Sequence, residues 1–143
     1  MIINIRHTGI VVNNLENQFN FYKSLGFKEF SRDVEYGTFI EKVTGIKDTR
    51  LEWIKMKASD GFILELLQYL SNSQEFEDIK APSNKLGCSH IAFTVDNIDV
   101  VCKHIKNQGG SVVNDPVISP DGKVKVAYCH DPEGILMEMV ELI

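Results

Sequence analysis

Long apolar runs are missing from this chain, and none reaches the about 20 residues that a membrane-spanning helix needs, so no membrane partner is expected. A basic tract is missing too. Fifteen Lys and Arg against twenty Asp and Glu leave a formal net charge of −5, and no cationic cluster marks a nucleic-acid or heparin surface. The opening MIINIRHTG has no charged lead, apolar core or small-residue cleavage site, so no secretory leader is expected there. Cysteine is scarce. Cys88, Cys102 and Cys129 are odd in number and lack CxxC spacing, which argues against a disulfide framework and against a thiolate zinc or redox site. Reduced, mostly buried thiols in a cytoplasmic protein are the expectation. The remaining composition, 43% hydrophobic and 24% charged, excludes disordered and collagen-like classes. A length of 143 residues suits one domain with a real core.

What the chain does have is an internal repeat. HTGIVVNNLENQFNFYKSLG (7–26) aligns without a gap on HIAFTVDNIDVVCKHIKNQG (90–109), at a constant offset of 83 residues. His7 falls on His90, Leu15 on Ile98 and Gly26 on Gly109. Each copy reads as a strand, a cap and a helix. Asn13 and Asp96 are the expected N-caps, each with an acid three positions on, Glu16 and Asp99. Leu15, Phe19, Tyr22 and Leu25 recur at helical spacing, as do Ile98, Val101 and Ile105, and the two glycines suit helix C-termini.

The second half of each copy repeats at an offset of 73 residues, with GFILE (61–65) on GILME (134–138). LEWIKM (51–56) and VKVAYC (124–129) read as strands ahead of turns, Ser59-Asp60-Gly61 and Asp131-Pro132-Glu133-Gly134. The first copy holds ten more residues, in roughly 31–50. VEYGTFIEKVTGIKDTR (34–50) is expected as a lid or a dimer contact. The pattern predicts an α+β fold of two tandem βαβββ modules in a single domain over 1–143: about 1–70, a polar linker about 71–87, and about 88–143.

The repeat also pairs four polar residues, His7 with His90 and Glu65 with Glu138. Strand alternation places His7 with Ile3, Ile5 and Gly9, and His90 with Cys88 and Ala92. Glu65 joins Ile63, Leu67 and Tyr69, and Glu138 joins Leu136 and Val140. All four are expected mid-strand on largely apolar or small faces. An unpaired buried charge is costly, so something has to compensate Glu138 inside GILMEMVELI (134–143). Two imidazoles and two carboxylates in matched positions make an N2O2 set for a divalent metal, with Ni, Zn, Co, Mn and Fe all admissible. The competing arrangement puts both glutamates on an outward face, each near a Lys or Arg. A metal so held keeps two adjacent positions for neighbouring oxygens of a small-molecule substrate. It then acts as a Lewis acid while an adjacent C–H loses its proton, with a ligand carboxylate as a candidate base.

With those residues in view, the chain resembles the vicinal oxygen chelate superfamily, the glyoxalase/bleomycin-resistance/dioxygenase fold, over its whole length. HTGIVVNNLENQFNFYKSLGF is similar to the first module of that family, and HIAFTVDNID with DPEGILMEMVEL to the second. The resemblance implies a glyoxalase I-type lyase or isomerase with His7, Glu65, His90 and Glu138 as metal ligands. It also implies Glu138 as catalytic base and a homodimer. Similarity to methylmalonyl-CoA epimerases adds Glu52 as a second base and acyl-thioester epimerisation as the alternative reaction. A non-catalytic small-molecule binding or resistance protein is the further alternative.

Overall fold

The structure, a computed structural model, describes residues 1–74, 80 and 82–143. The expected linker, 71–87, includes residues 75–79 and 81, which lie outside the described residues. By its contacts the chain divides into two compact units, Met1–Phe76 and Glu77–Ile143.

In the first unit, β1 (Thr8–Val11) leads into helix α1 (Leu15–Ser24), followed by β2 (Lys28–Tyr36), helix α2 (Thr38–Thr44), β3 (Arg50–Lys57) and β4 (Ile63–Tyr69). These strands form one sheet in the order β1-β4-β3-β2, with β1 parallel to β4. Helix α1 buries Leu15, Phe19, Phe21 and Tyr22, and Ile10, Ile54, Met56, Leu64 and Leu66 are buried strand residues of the same sheet face by register. A parallel pair cannot be closed by a tight turn, so the chain crosses between β1 and β4 through α1 and the β2–β3 hairpin.

The second unit repeats the order with β5 (Ile91–Val95), α3 (Ile98–Asn107), β6 (Ser111–Val112), β7 (Val117–Ile118), β8 (Val124–His130) and β9 (Leu136–Leu142). Its sheet runs β5-β9-β8-β6, with β7 also on β8 and β5 parallel to β9. Ile98, Cys102 and Ile105 of α3 are buried, and Ala127, Cys129, Met137 and Met139 are the buried strand residues of one face. Met137 and Met139 therefore point to the face opposite Glu138.

Both helices are held at their N-termini in the same double manner. Asn14 Oδ1 accepts from the Asn17 amide and Asn97 Oδ1 from the Val100 amide, each at 3.0 Å. The caps stand one residue later than expected, because adjacent polar residues (Asn13-Asn14, Asp96-Asn97) offer two candidates and the backbone takes the second. The first helical amides are held from the last strands: Leu15 N–H donates to Gln68 Oε1 at 3.0 Å and Ile98 N–H to Glu141 Oε2 at 2.7 Å. Gln68 and Glu141 are 73 residues apart, so the brace is itself part of the repeat. Glu16 and Asp99 pair instead with Arg32 and Lys125. Gly26 and Gly109 follow the helices at φ 101° and 88°, the left-handed region where a glycine ends a helix without strain.

Two further expectations are corrected. Strand β1 starts only at Thr8, and residues 1–5 stand outside it and exposed, so Ile3 and Ile5 share no buried face with His7. The stretch 34–50 is not one long loop: Val34–Tyr36 completes β2, Thr38–Thr44 is a helix ending on Gly45 at φ 75°, and Arg50 opens β3. His130 ends β8 and is buried.

Candidate metal and active site

Each unit brings one histidine and one glutamate together. In the first, β1 and β4 lie parallel with Gly9 beside Glu65, and His7 lies two residues before Gly9 on the same face. His7 Nε2 stands 2.9 Å from Glu65 Oε2. In the second, Ala92 lies beside Glu138, His90 two residues before it, and His90 Nε2 stands 3.2 Å from Glu138 Oε2. The small residues at positions 9 and 92 leave the space. A Cβ added to Gly9 would come within 3.1 Å of Leu67 Cδ1 and 3.9 Å of Glu65 Oε2. Both histidines sit on the residue just before their strand rather than mid-strand, whereas both glutamates lie within theirs.

The imidazole of the second pair is also held from its other side. Ser89 donates its hydroxyl to the Ser83 carbonyl at 2.8 Å, and the Ser89 oxygen lies 3.2 Å from His90 Nδ1. Nε2 faces a Glu138 carboxylate oxygen, so a proton or a cation stands between them. A hydrogen bond from the far ring nitrogen is also how ligating histidines are usually oriented.

The separations fit a shared ion. Two donors held about 2.1 Å from one ion at a right angle lie about 3.0 Å apart, and the two pairs measure 2.9 and 3.2 Å. Imidazole and carboxylate together are a borderline donor set suited to Zn, Ni, Co, Mn or Fe. Within either unit, among the described residues, no group of three or more His, Cys, Asp and Glu side chains converges. Each unit thus supplies half of the expected set.

The two halves have different neighbours. Lys55 lies directly across from Glu65 on β3, with its ammonium 3.2 Å from Glu65 Oε1 and 4.1 Å above the centre of the Trp53 ring. The corresponding residue across from Glu138 is Tyr128, whose ring meets His90 edge-on at 5.2 Å. Among the described residues of that unit no Lys or Arg pairs with Glu138. Of the competing arrangement, the neighbouring cation is therefore found at Glu65 and not at Glu138 within its unit, and Glu65 is buried rather than on an exposed face. The side chain of Glu65 is 11% exposed and that of Glu138 24%. Lys55 and Tyr128 were missed in the sequence, although aligning LEWIKM on VKVAYC places one over the other. Ser89 was missed because a serine beside a histidine carries no signal until its partner is known.

Glu52 is not brought to this site. On β3 it shares its face with Ile54 and Met56, opposite Gln68, and that is the reverse side of the sheet from Lys55 and Glu65. Among the larger apolar side chains of this unit, Met56 is core, Phe39 is exposed on α2 and Trp53 stacks under Lys55. A cleft of about 390 Å³ does open in the first unit, lined by residues that include Arg6, His7, Phe30, Ser31, Lys55 and Ile63. Phe30 reaches it from a β-bulge, where the β2–β3 register shifts between Glu29 and Ser31. Cys102 and Cys129 touch at 3.9 Å in the core, where burial pushes both pKa values up, that of Cys129 to about 12.

Residues 4–139 match the Glyoxalase/Bleomycin resistance protein/Dioxygenase superfamily. The chain belongs to this superfamily. It is 31% identical over 137 residues to a lactoylglutathione lyase of Neisseria meningitidis, covering 94% of this chain and 88% of that one. A glyoxalase family protein from Bacillus cereus superposes with a TM-score of 0.92 at 26% identity, covering 100% of this chain and 96% of the other. A fosfomycin resistance protein from Listeria monocytogenes, solved with Mn(II) and a dihydroxypropylphosphonic acid, shares the fold at a TM-score of 0.62 and 16% identity, with 100% and 95% coverage. The α+β glyoxalase fold expected from the repeat is thereby shown. Among the described residues no helix is long and apolar enough to cross a membrane.

Proposed function

We propose that this protein is a divalent-metal-dependent isomerising lyase of the glyoxalase I type, acting on the thiohemiacetal of a 2-oxoaldehyde. His7, Glu65, His90 and Glu138 together hold one metal ion. The observation that carries the reading is the pair of His–Glu contacts at identical repeat positions, with an imidazole nitrogen facing a carboxylate oxygen in each. The similarity to a lactoylglutathione lyase over most of both chains supports the reaction class.

When bound, the ion supplies Lewis-acid stabilisation of negative charge on the substrate oxygens. The protein supplies the proton transfer. Glu138 is the more exposed carboxylate and has no ammonium beside it in its own unit, so it is the base: it takes the proton from the carbon bearing sulfur and hydroxyl and returns it to the neighbouring carbon. One C–H bond breaks and another forms, the hydroxyl proton of the first carbon passes to the carbonyl oxygen of the second, and the thiohemiacetal becomes a 2-hydroxy thioester with no external oxidant. His90 is oriented by Ser89, and Glu65 is held by Lys55. Glu52, on the far face of its sheet, is not available as a second base there, which removes the residue that supported acyl-thioester epimerisation. A reducing, cytoplasmic setting and assembly as a homodimer belong to the same reading; the three free cysteines support the first.

The test is a dialysed, metal-loaded preparation assayed for thioester formation from methylglyoxal and glutathione. His90→Ala is expected to lose the metal by elemental analysis. Glu138→Gln is expected to lower kcat about 10²–10⁴-fold, the usual contribution of a positioned base. A native chain that binds no divalent metal, or that exchanges solvent deuterium into methylmalonyl-CoA while leaving the thiohemiacetal untouched, would overturn it.

A further inference from the structure

The repeat is symmetric in its His–Glu pairs and asymmetric in what stands across the strand from each carboxylate. Glu65 presents two oxygens to two different partners: Oε2 to His7 Nε2 at 2.9 Å and Oε1 to the Lys55 ammonium at 3.2 Å. Glu138 has Tyr128 opposite it, a neutral ring that packs on His90. Lys55 is itself held, with its ammonium over the Trp53 ring and its side chain only 24% exposed. A lysine fixed in this way gives up both an ion pair and a ring contact if it swings away.

From this geometry we infer that Lys55 is a positioning residue that makes Glu65 a one-oxygen ligand and weakens the hold of the site on its metal. The inference rests on the metal-binding reading above. A carboxylate free at both oxygens can close on a cation with both. With Oε1 occupied by an ammonium, Glu65 offers only Oε2, the oxygen already beside His7. One oxygen fewer from the protein keeps a coordination position free for substrate. The ammonium also repels a cation a few ångströms away, and at an effective dielectric typical of protein sites such a repulsion is large enough to change affinity tenfold or more. Lys55 lines the 390 Å³ cleft, so the same charge faces approaching ligands. Glu138, without such a partner in its unit, stays mobile for proton transfer.

The experiment titrates Co(II) into the metal-free full-length chain and follows both affinity and the visible d–d spectrum. Lys55→Met keeps the apolar stem and removes the charge. It is expected to bind Co(II) about tenfold more tightly or better, with a changed d–d spectrum as the second oxygen of Glu65 engages. Lys55→Arg is expected to keep the native affinity and spectrum. Lys125→Met removes an equal charge from the Asp99 pair and is expected to leave both unchanged, which separates a local effect from net charge. Circular dichroism checks the fold of each variant, and Lys55→Gln replaces any Lys55→Met protein that fails to fold. Native-like affinity and spectrum in the uncharged variants, or weaker binding, overturns the role of Lys55 and leaves the metal site standing. Failure of the native chain to bind Co(II) sinks the metal reading, and this inference with it.

Discussion

At the residue scale, the buried thiols give the plainest pH dependence. Cys102 and Cys129 have raised pKa values in the folded state because burial disfavours their thiolates, and Cys129 reaches about 12 against an ordinary thiol value of 9.0. Below pH 9 both states keep these protons, so the thiols are neutral to stability. Between pH 9 and about 12 the unfolded chain releases a proton that the folded chain retains, so stability falls as pH rises. The expected slope is at most about 1.4 kcal/mol per pH unit for each thiol. Urea midpoints measured from pH 8 to 10.5 check this; a Cys129→Ala variant should show a shallower decline, and an identical one would refute the assignment. Cys88 is exposed, so a thiol reagent is expected to modify it in the native protein while the other two react only on unfolding.

At the scale of elements, the caps and the strand braces carry the prediction. Glu141 offers a charged acceptor to the Ile98 amide and Gln68 a neutral one to the Leu15 amide. Bonds to charged groups contribute about 1.5–3 kcal/mol and neutral ones about 1 kcal/mol. Glu141→Ala is therefore expected to cost more stability than Gln68→Ala, with Glu141→Gln recovering most of the loss; denaturant midpoints decide it, and equal losses would count against the brace. The sequence showed these helices clearly, since Leu15, Phe19 and Tyr22 repeat at helical spacing and are buried. It did not show the braces, because a Gln and a Glu at the ends of two strands declare no partner until α1 and α3 are packed. Helix α2 was hidden for another reason. Seven residues with Val43 and Thr44 at its end give too little periodicity to separate a helix from a loop.

Over the whole molecule, the duplicated arrangement was legible because two offsets, 83 and 73, each run without a gap, and the difference between them locates the extra β2 and α2 residues of the first copy. The His–Glu pairs were legible for the same reason. The location of Glu52 was not, since only the β3–β4 register tells which face it takes. Metal binding at the proposed site should stabilise the folded protein as a whole. At a free metal concentration a hundredfold above its Kd the gain is about 2.7 kcal/mol, or roughly 8 °C in Tm. Thermal scans of the metal-free and Ni(II)-loaded chain are expected to show that rise, and His7→Ala is expected to abolish it.

A perfectly duplicated chain would give its two acid groups the same cross-strand neighbour, and so the same charge beside them. Lys55 facing one and Tyr128 facing the other end that equivalence. The exchange of a single cross-strand neighbour is thus enough to give two repeats of one strand pattern carboxylates with different electrostatic surroundings.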